Sequence, residues 1–166
     1  MRAPWALALG VCALALCAQS CGYTTGLKVL EKHASVGLEI FGNDSYERDL
    51  ERPLHDAISR SLRDLTDVPI ERSDRAEVVI RGTIKTYNRR AGVRSPQNRL
   101  LETGVYIEVE ATLFDRASGR ALGPPDHVSQ PIGFVLGDPD AERTARDRAL
   151  RHIADQVVLD LFAPVD

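Results

Sequence analysis

Two segments of the chain alternate apolar and polar residues with a period of two, the pattern of a strand with one buried face. In residues 77–85 the apolar face carries Val78, Ile80 and Ile84, and in residues 105–114 the odd-numbered positions are all apolar. The opposite faces are mostly polar. Strands of this kind suit an antiparallel sheet that is covered on one side only.

Two other segments place apolar residues three and four positions apart, which indicates amphipathic helices. The first helix is predicted over residues 52–65, after an irregular turn from Tyr46, because Pro53 fits the first turn of a helix and would kink an interior. The last helix opens at Asp138-Pro139, with the aspartate as cap and the proline at the first helical position.

The remaining elements complete a two-layer pattern. A first strand is predicted over residues 36–41, and a turn at residues 115–120 leads into a return strand that runs to residue 136 and is interrupted by Pro124-Pro125. The element order is therefore β-α-β-β-β-α. One apolar face on each element predicts an α+β fold, with two helices packed on one face of a roughly four-stranded mixed sheet.

The first twenty residues differ from the rest of the chain. Arg2 is their only charged residue, residues 5–17 are almost wholly apolar, and small or polar residues lead to Cys21. This is the layout of a secretory signal, and the apolar run is shorter than the roughly 20 residues that a spanning helix needs. Ala18 and Ser20 fit a lipoprotein cleavage site, so the segment is predicted to be removed. An uncleaved membrane anchor is the alternative.

Cysteine usage agrees with lipidation at Cys21. The two earlier cysteines would leave with the signal, and a single remaining cysteine cannot form an internal disulfide. Two or more acyl chains, at about 0.8 kcal/mol per buried CH₂, would make the anchoring stable. Gly22 is not aspartate, which by analogy with enterobacterial lipoproteins predicts the periplasmic side of the outer membrane. Residues 21–35 then form the lipidated N-terminus and linker, and residues 36–166 form a single domain.

Candidate catalytic residues are few. The four histidines are scattered without metal-ligand spacing, and no nucleophile, phosphate-loop or dinucleotide motif is present. Glu108 and Glu110 share a strand face and could form an acid/base pair, but Arg81 and Lys85 on the predicted neighbouring strand favour cross-strand ion pairing. The carboxylates at residues 138–142 suit the first turn of a helix. We therefore predict no catalytic site, no metal and no cofactor.

A cationic arm lies between the two alternating strands. Residues 86–101 contain four arginines and no acid, although the chain without its signal has 20 basic residues, 21 less Arg2, against 24 acidic ones. That acidic balance argues against a nucleic-acid binder. Guanidinium groups bind phosphate and carboxylate in a bidentate fork, so the arm is a candidate anion site, with a solvated loop of incidental charge as the equal alternative. Its five basic residues are Lys85, Arg89, Arg90, Arg94 and Arg99.

Several segments, in this order, resemble the LptE family of lipopolysaccharide-assembly lipoproteins. They are CGY at residues 21–23, FGNDSY at residues 41–46, and RAEVVIRGTI at residues 75–84, where Glu77 replaces the family's usual aspartate. The alternating strand, the hairpin at residues 115–119 and the alanine-rich last helix complete the resemblance. Pro53 and Pro124-Pro125 depart from the family pattern.

The resemblance implies a non-enzymatic protein that sits as a plug inside a large LptD-type outer-membrane β-barrel. Such a protein helps the barrel assemble and helps insert lipopolysaccharide in the outer leaflet. The resemblance also implies lipopolysaccharide binding through basic residues, while the assignment of that role to the cationic arm rests on local charge. The alternative function is a lipoprotein cofactor of a periplasmic cell-wall synthase or of another envelope complex.

Overall fold

The computed structural model describes residues 33–90 and 92–162. The predicted signal, the lipidation site at Cys21 and most of the linker lie outside these residues. The elements, in chain order, are β1 (Val36–Leu38), β2 (Gly42–Asn43), α1 (Glu51–Leu65), β3 (Ile70–Glu71), β4 (Val78–Arg90), β5 (Glu102–Asp115), β6 (Asp126–Val135) and α2 (Ala141–Phe162).

The strands form one sheet in the order β3-β1-β4-β5-β6, with β2 pairing with β4 beyond the end of β1. The three short strands β1, β2 and β3 run parallel to their neighbours, whereas β4, β5 and β6 are antiparallel. The predicted α+β fold with a mixed sheet and two helices is confirmed. The sheet has six strands instead of about four, because two-residue strands such as β2 and β3 are too short to show a period.

The core lies between the sheet and the two helices, with α2 packed on β5, β6 and α1. The apolar positions that define the predicted strand faces are buried, among them Ile80 and Ile107, and Ile58 and Ile153 meet them from the helices. Burial of each side chain of this size contributes roughly 1.5–3 kcal/mol. The alternation in the sequence therefore marks the face that the helices cover.

The first strand is shorter than predicted, because it ends at Leu38 instead of residue 41. Phe41 turns into the core and lies against Gly82 of β4, where it is almost fully buried. A Cβ atom on Gly82 would collide with the Phe41 ring and with the Glu110 carbonyl. The Phe41 side chain thus occupies the space that Gly82 leaves open, and the first strand does not continue as far as residue 41.

The three prolines that depart from the family pattern stand at or before element starts. Strand β6 begins at Asp126, so Pro124-Pro125 precede the return strand and do not interrupt it. Pro53 lies in the first turn of α1, as predicted. Helix α2 begins at Ala141, two residues after the predicted position, and the Asp138 side chain accepts a hydrogen bond from the Asp140 amide at 2.9 Å. Within the described part of the chain, no helix is long and apolar enough to cross a membrane.

One end of the sheet projects beyond the short strands. Strand β2 last pairs with β4 at Ile84, but the pairing of β4 with β5 continues to Arg90, and β6 follows β5 as far as Glu102. The three long strands therefore form a projection, closed at its end by the loop that joins β4 to β5. We call the described residues of this part, 86–90, 92–104 and 131–137, the hairpin pole.

Candidate functional site

A register shift in β4 decides which face each residue of the cationic arm occupies. Ile84 lies opposite Val109 and Thr86 lies opposite Glu108, so Lys85 is an extra residue in the ladder. Beyond the shift the alternation is inverted, and odd-numbered residues of β4 face the helices. Arg89 and Arg90 consequently project from opposite faces of the sheet.

Lys85 is bound by a carboxylate of the neighbouring short strands. Its Nζ lies 2.7 Å from Asp44 Oδ2, and this hydrogen bond is the main reason that the pKa of Lys85 is raised. Arg81 is held in the same way by Glu39, with its Nε at 3.0 Å from Oε2. The two β5 glutamates do not form the direct ion pairs that were predicted with these cations, because Glu39 after β1 and Asp44 after β2 bring closer carboxylates from the other side of β4. The charges of Glu110 and Glu108 still contribute to the raised pKa of Lys85.

Arg89 connects the hairpin pole to the start of α2. Its Nη2 lies 2.6 Å from Glu142 Oε2, and its Nε donates a hydrogen bond of 2.7 Å to Oε1. The Tyr87 hydroxyl donates to the same carboxylate at 3.3 Å. Burial, followed by the charge of Glu142, raises the pKa of Tyr87 to about 12, and the ion pair raises the pKa of Arg89. The cation of Arg89 is thus already paired within the protein.

The surroundings of the other three arginines, Arg90, Arg94 and Arg99, differ from those of Arg89. The Arg90 guanidinium carbon lies 4.4 Å from the centre of the Tyr106 ring, a cation–π contact, and Arg94 Nη1 donates to the Asn98 carbonyl at 3.1 Å. Among the residues that the structure describes, no carboxylate forms an ion pair with Arg90, Arg94 or Arg99. Their charge is therefore available to an external anion.

The loop that carries Arg94 and Arg99 has a defined conformation. The Ser95 hydroxyl accepts hydrogen bonds from the Gln97 amide at 3.2 Å and from the Arg99 amide at 3.3 Å. The Ser95 amide donates to the Arg99 carbonyl at 2.8 Å. At the base of the loop, Gly92 lies so close to the Glu102 carbonyl that a Cβ atom would overlap it. The arginines are consequently held on an ordered loop.

Sequence reasoning missed an apolar part of the same pole. Five aliphatic side chains that are 36–61% exposed gather between the polar loop and the body of the sheet, and we call them the aliphatic belt. They come from the two arms of the β4–β5 connection and from the end of β6, so no single segment shows them. The adjacent leucines beside an arginine were the available signal. The belt consists of Val93, Leu100, Leu101, Val135 and Leu136.

The prediction of no catalytic site was based on the absence of catalytic motifs. The structure shows where the candidate carboxylates Glu108 and Glu110 lie. Glu108 and Glu110 lie on the sheet face that the helices do not cover, and Glu110 Oε2 is 3.8 Å from His127 Nε2. No group of three or more His, Cys, Asp and Glu residues within the described ranges is arranged to hold a metal ion. What the structure brings together at the hairpin pole is a candidate binding surface, cationic at its end and aliphatic behind it.

Comparison with known families assigns the chain. The family model described as lipopolysaccharide-assembly, LptE, matches residues 34–161, which span nearly all of the described fold. The chain belongs to the LptE family. This confirms the resemblance carried by the motifs at residues 41–46 and 75–84. The LptE family is a non-enzymatic family of lipopolysaccharide assembly.

Solved structures share the fold of this LptE-family chain. The PelC dodecamer from Paraburkholderia phytofirmans matches with a TM-score of 0.55 at 18% identity, covering 79% of this chain and 90% of that chain. A lipoprotein from Caulobacter crescentus, described as putative, matches with a TM-score of 0.55 at 17% identity, covering 80% and 92%. The protein CT253 from Chlamydia trachomatis gives 0.54 at 11% identity, covering 77% and 95%. No curated protein matches the sequence. At these identities the likeness concerns the fold alone.

Proposed function

We propose that this LptE-family chain is an outer-membrane lipoprotein that acts as plug and assembly partner of an LptD-type β-barrel. In this role it takes part in transporting lipopolysaccharide to the outer membrane and inserting it there. The match of the family model to residues 34–161 carries the proposal. The hairpin pole supports it, because a projection whose end arginines have no carboxylate partner among the described residues suits the interior of a larger partner and an anionic ligand.

The anchoring is part of the proposal. The chain is cut before Cys21, lipidated at that cysteine and held on the periplasmic side of the outer membrane. Strand β1 pairs with Val78, the first residue of β4, whereas the hairpin pole begins near the other end of that 13-residue strand. At about 3.3 Å per residue, the two ends of β4 are roughly 40 Å apart. The described chain therefore enters the sheet at the end remote from the pole, and in this proposal the pole is free to enter a barrel.

Lipopolysaccharide binding belongs to the cationic arm in this proposal. Arg90, Arg94 and Arg99 have no carboxylate partner among the described residues, so phosphate groups meet no internal competitor there. Lys85 and Arg89 are already paired with Asp44 and Glu142, and an anion would have to displace those carboxylates. We therefore assign the principal contacts to the three arginines of the pole and lesser ones to Lys85 and Arg89.

The partner is tested by crosslinking a tagged chain in the native envelope and identifying what is recovered. We expect a β-barrel protein of several hundred residues from the membrane fraction. A Cys21→Ala variant is the matched control, and it should lose the lipid and leave the outer membrane, because the anchor then has no attachment site. Recovery of soluble periplasmic proteins alone contradicts the proposal, and recovery of a cell-wall synthase supports the alternative function.

A further inference from the structure

The aliphatic belt surrounds the hairpin pole on both faces of the sheet. Ile132 and Phe134 pack against the core on the helix side, so Val135, next along β6, points to the opposite face. Leu136 and Leu101 follow at the next step, where the Leu136 amide donates to the Leu101 carbonyl at 3.0 Å. Side chains of the belt are therefore exposed on the helix side and on the uncovered side at nearly the same level.

Backbone hydrogen bonds place the belt at one height along the projection. The Leu101 amide donates to the Val93 carbonyl at 2.8 Å, which sets Val93 beside the Leu101–Leu136 pair. Leu100 is bridged to Arg94 one step farther out. The belt is thus a collar of pre-ordered side chains, and a partner that contacts it pays little conformational entropy for the arrangement.

A polar, cationic end lies beyond the collar, and it argues against a lipid bilayer as the occupant. Arg94 and Arg99 stand farther out than Val93 and Leu101, so the belt could reach hydrocarbon only if both arginines crossed the headgroup region first. Transfer of an arginine to the centre of a bilayer costs roughly 2.5–3.5 kcal/mol on insertion scales. Two such charges oppose the insertion of five aliphatic side chains.

A second copy of the chain and a flat protein surface are also poor candidates for the partner that covers the belt. Two poles meeting end to end would bring Arg94 and Arg99 of one copy against the same arginines of the other, and like charges repel. A flat partner surface covers one face of a strand, whereas the belt is exposed on both. The exposure of the belt on both faces suits a partner that encloses the projection, with apolar side chains at the level of the belt.

We propose that the aliphatic belt docks against an apolar ring on the inner wall of the β-barrel partner, with hydrogen-bond acceptors of that wall or of its ligand at the level of Arg94 and Arg99. This inference rests on the proposed function and identifies the surface through which the plug is seated. An apolar centre combined with arginine at the edge is the composition of specific protein interfaces. The belt aligns the plug, and the arginines beyond it then face the ligand.

The test compares two double variants by barrel recovery from native envelopes. Leu101→Ser with Val135→Ser removes one belt residue from each face of the sheet, and we expect it to lower the recovered barrel at least tenfold. The matched control is Leu122→Ser with Leu159→Ser, which changes two equally exposed leucines away from the pole, at 48% and 39% exposure. The control should stay within twofold of the unchanged chain. Thermal unfolding of both variants verifies that each remains folded.

The outcomes separate the two proposals. If the unchanged chain recovers a barrel and the belt variant recovers it equally well, the belt is not the seat, while the proposed function stands. If the unchanged chain recovers no barrel, the proposed function and the inference both fall. A photo-crosslinking residue at Leu136 gives an independent reading, because adducts to a barrel support the docking surface, whereas adducts to lipid alone, or to a second copy, overturn it.

Discussion

Strand β4 passes through two regions of opposite character. From Val78 to Ile84 it is paired by β1 and β2 on one side and by β5 on the other, and the side chains of Val78, Ile80 and Ile84 are buried under the helices. We call the part of the domain outside the hairpin pole the body. Beyond Ile84 the described residues pair with it only from β5, and its side chains change from half-buried at Thr86 and Tyr87 to exposed from Asn88 onward. One continuous ladder thus serves as the core of a domain at one end and as a projecting surface at the other.

The charges divide in the same way as the apolar residues. In the body, Arg81 and Lys85 each face a carboxylate that a parallel strand supplies. At the end of the pole, Arg94 and Arg99 carry the same charge without such a carboxylate among the described residues. An ion pair between exposed groups contributes little to stability, so the internal pairs mainly neutralise charge, whereas the charges of Arg94 and Arg99 remain available to a ligand. The comparison teaches that position, more than composition, separates paired cations from candidate binding cations.

The largest expected difference between the two regions concerns stability. Ile80→Ala in the body should lower the free energy of unfolding by about 2–5 kcal/mol, because it opens a cavity under the helices. Val135→Ala in the pole should change it by less than about 0.5 kcal/mol, because the side chain is 61% exposed. Urea unfolding followed by circular dichroism measures both. Equal losses would mean that the pole is part of the folded core.

A smaller effect is expected for lipopolysaccharide binding. Arg94→Gln with Arg99→Gln should weaken binding on the order of tenfold, about 1.4 kcal/mol. The matched variant Lys85→Gln with Arg89→Gln removes the same charge but should weaken binding less, because those cations are already paired. The difference should shrink at high salt, since exposed charge is screened over about 10 Å at 0.1 M. Lipopolysaccharide binding of both double variants, measured at two salt concentrations, tests this prediction. Equal losses of affinity in the two variants would mean that total charge alone determines binding.

The smallest expected effect concerns the pH dependence of stability at Asp126, in the body. Burial and the nearby Asp160 raise the pKa of Asp126, so its stabilising contribution is present below the ordinary aspartate pKa and is lost as pH rises through the folded value. Asp126→Asn should therefore raise the melting temperature slightly at pH 7 and leave it nearly unchanged at pH 3.

Asp115 provides the control of opposite sign. Hydrogen bonds from Ser118 lower the pKa of Asp115, so its contribution is present above the ordinary aspartate pKa and is lost as pH falls through the folded value. Asp115→Asn should lower the melting temperature at pH 7 and have less effect at low pH. Differential scanning calorimetry at the two pH values measures both variants, and the same sign for both would contradict the assignment.

Much of the body could be predicted from the sequence, because its signals are local. The alternation from Val78 to Ile84 and along residues 105–113 identifies two strands and their buried face without knowledge of their neighbours. The spacing of Leu54, Ile58 and Leu62 identifies α1 in the same way. These patterns determined the α+β fold, and the motifs around them led to the family.

The rest depends on contacts between distant residues. Asp44 reaches Lys85 only because β2 pairs in parallel with β4, and two residues of strand leave no pattern in a sequence. Glu142 reaches Arg89 across 53 residues because α2 begins beside the hairpin pole. The aliphatic belt has the same origin, since three separate segments supply it. The prediction of five basic residues as one anion site used local charge alone, whereas the partners that distinguish these residues come from distant parts of the chain.

The extra residue at Lys85 has a consequence for how such chains can vary in length. A bulge absorbs one residue of one strand while the pairing on either side of it continues, so its loss would restore a regular ladder. Deletion of Lys85 alone would therefore keep Tyr87 opposite Ile107 and Arg89 opposite Val105, on the side of the helices, and would remove only the cation that Asp44 binds. Related chains can thus differ in length by one residue at this point and still present the same side chains on each face of the hairpin pole.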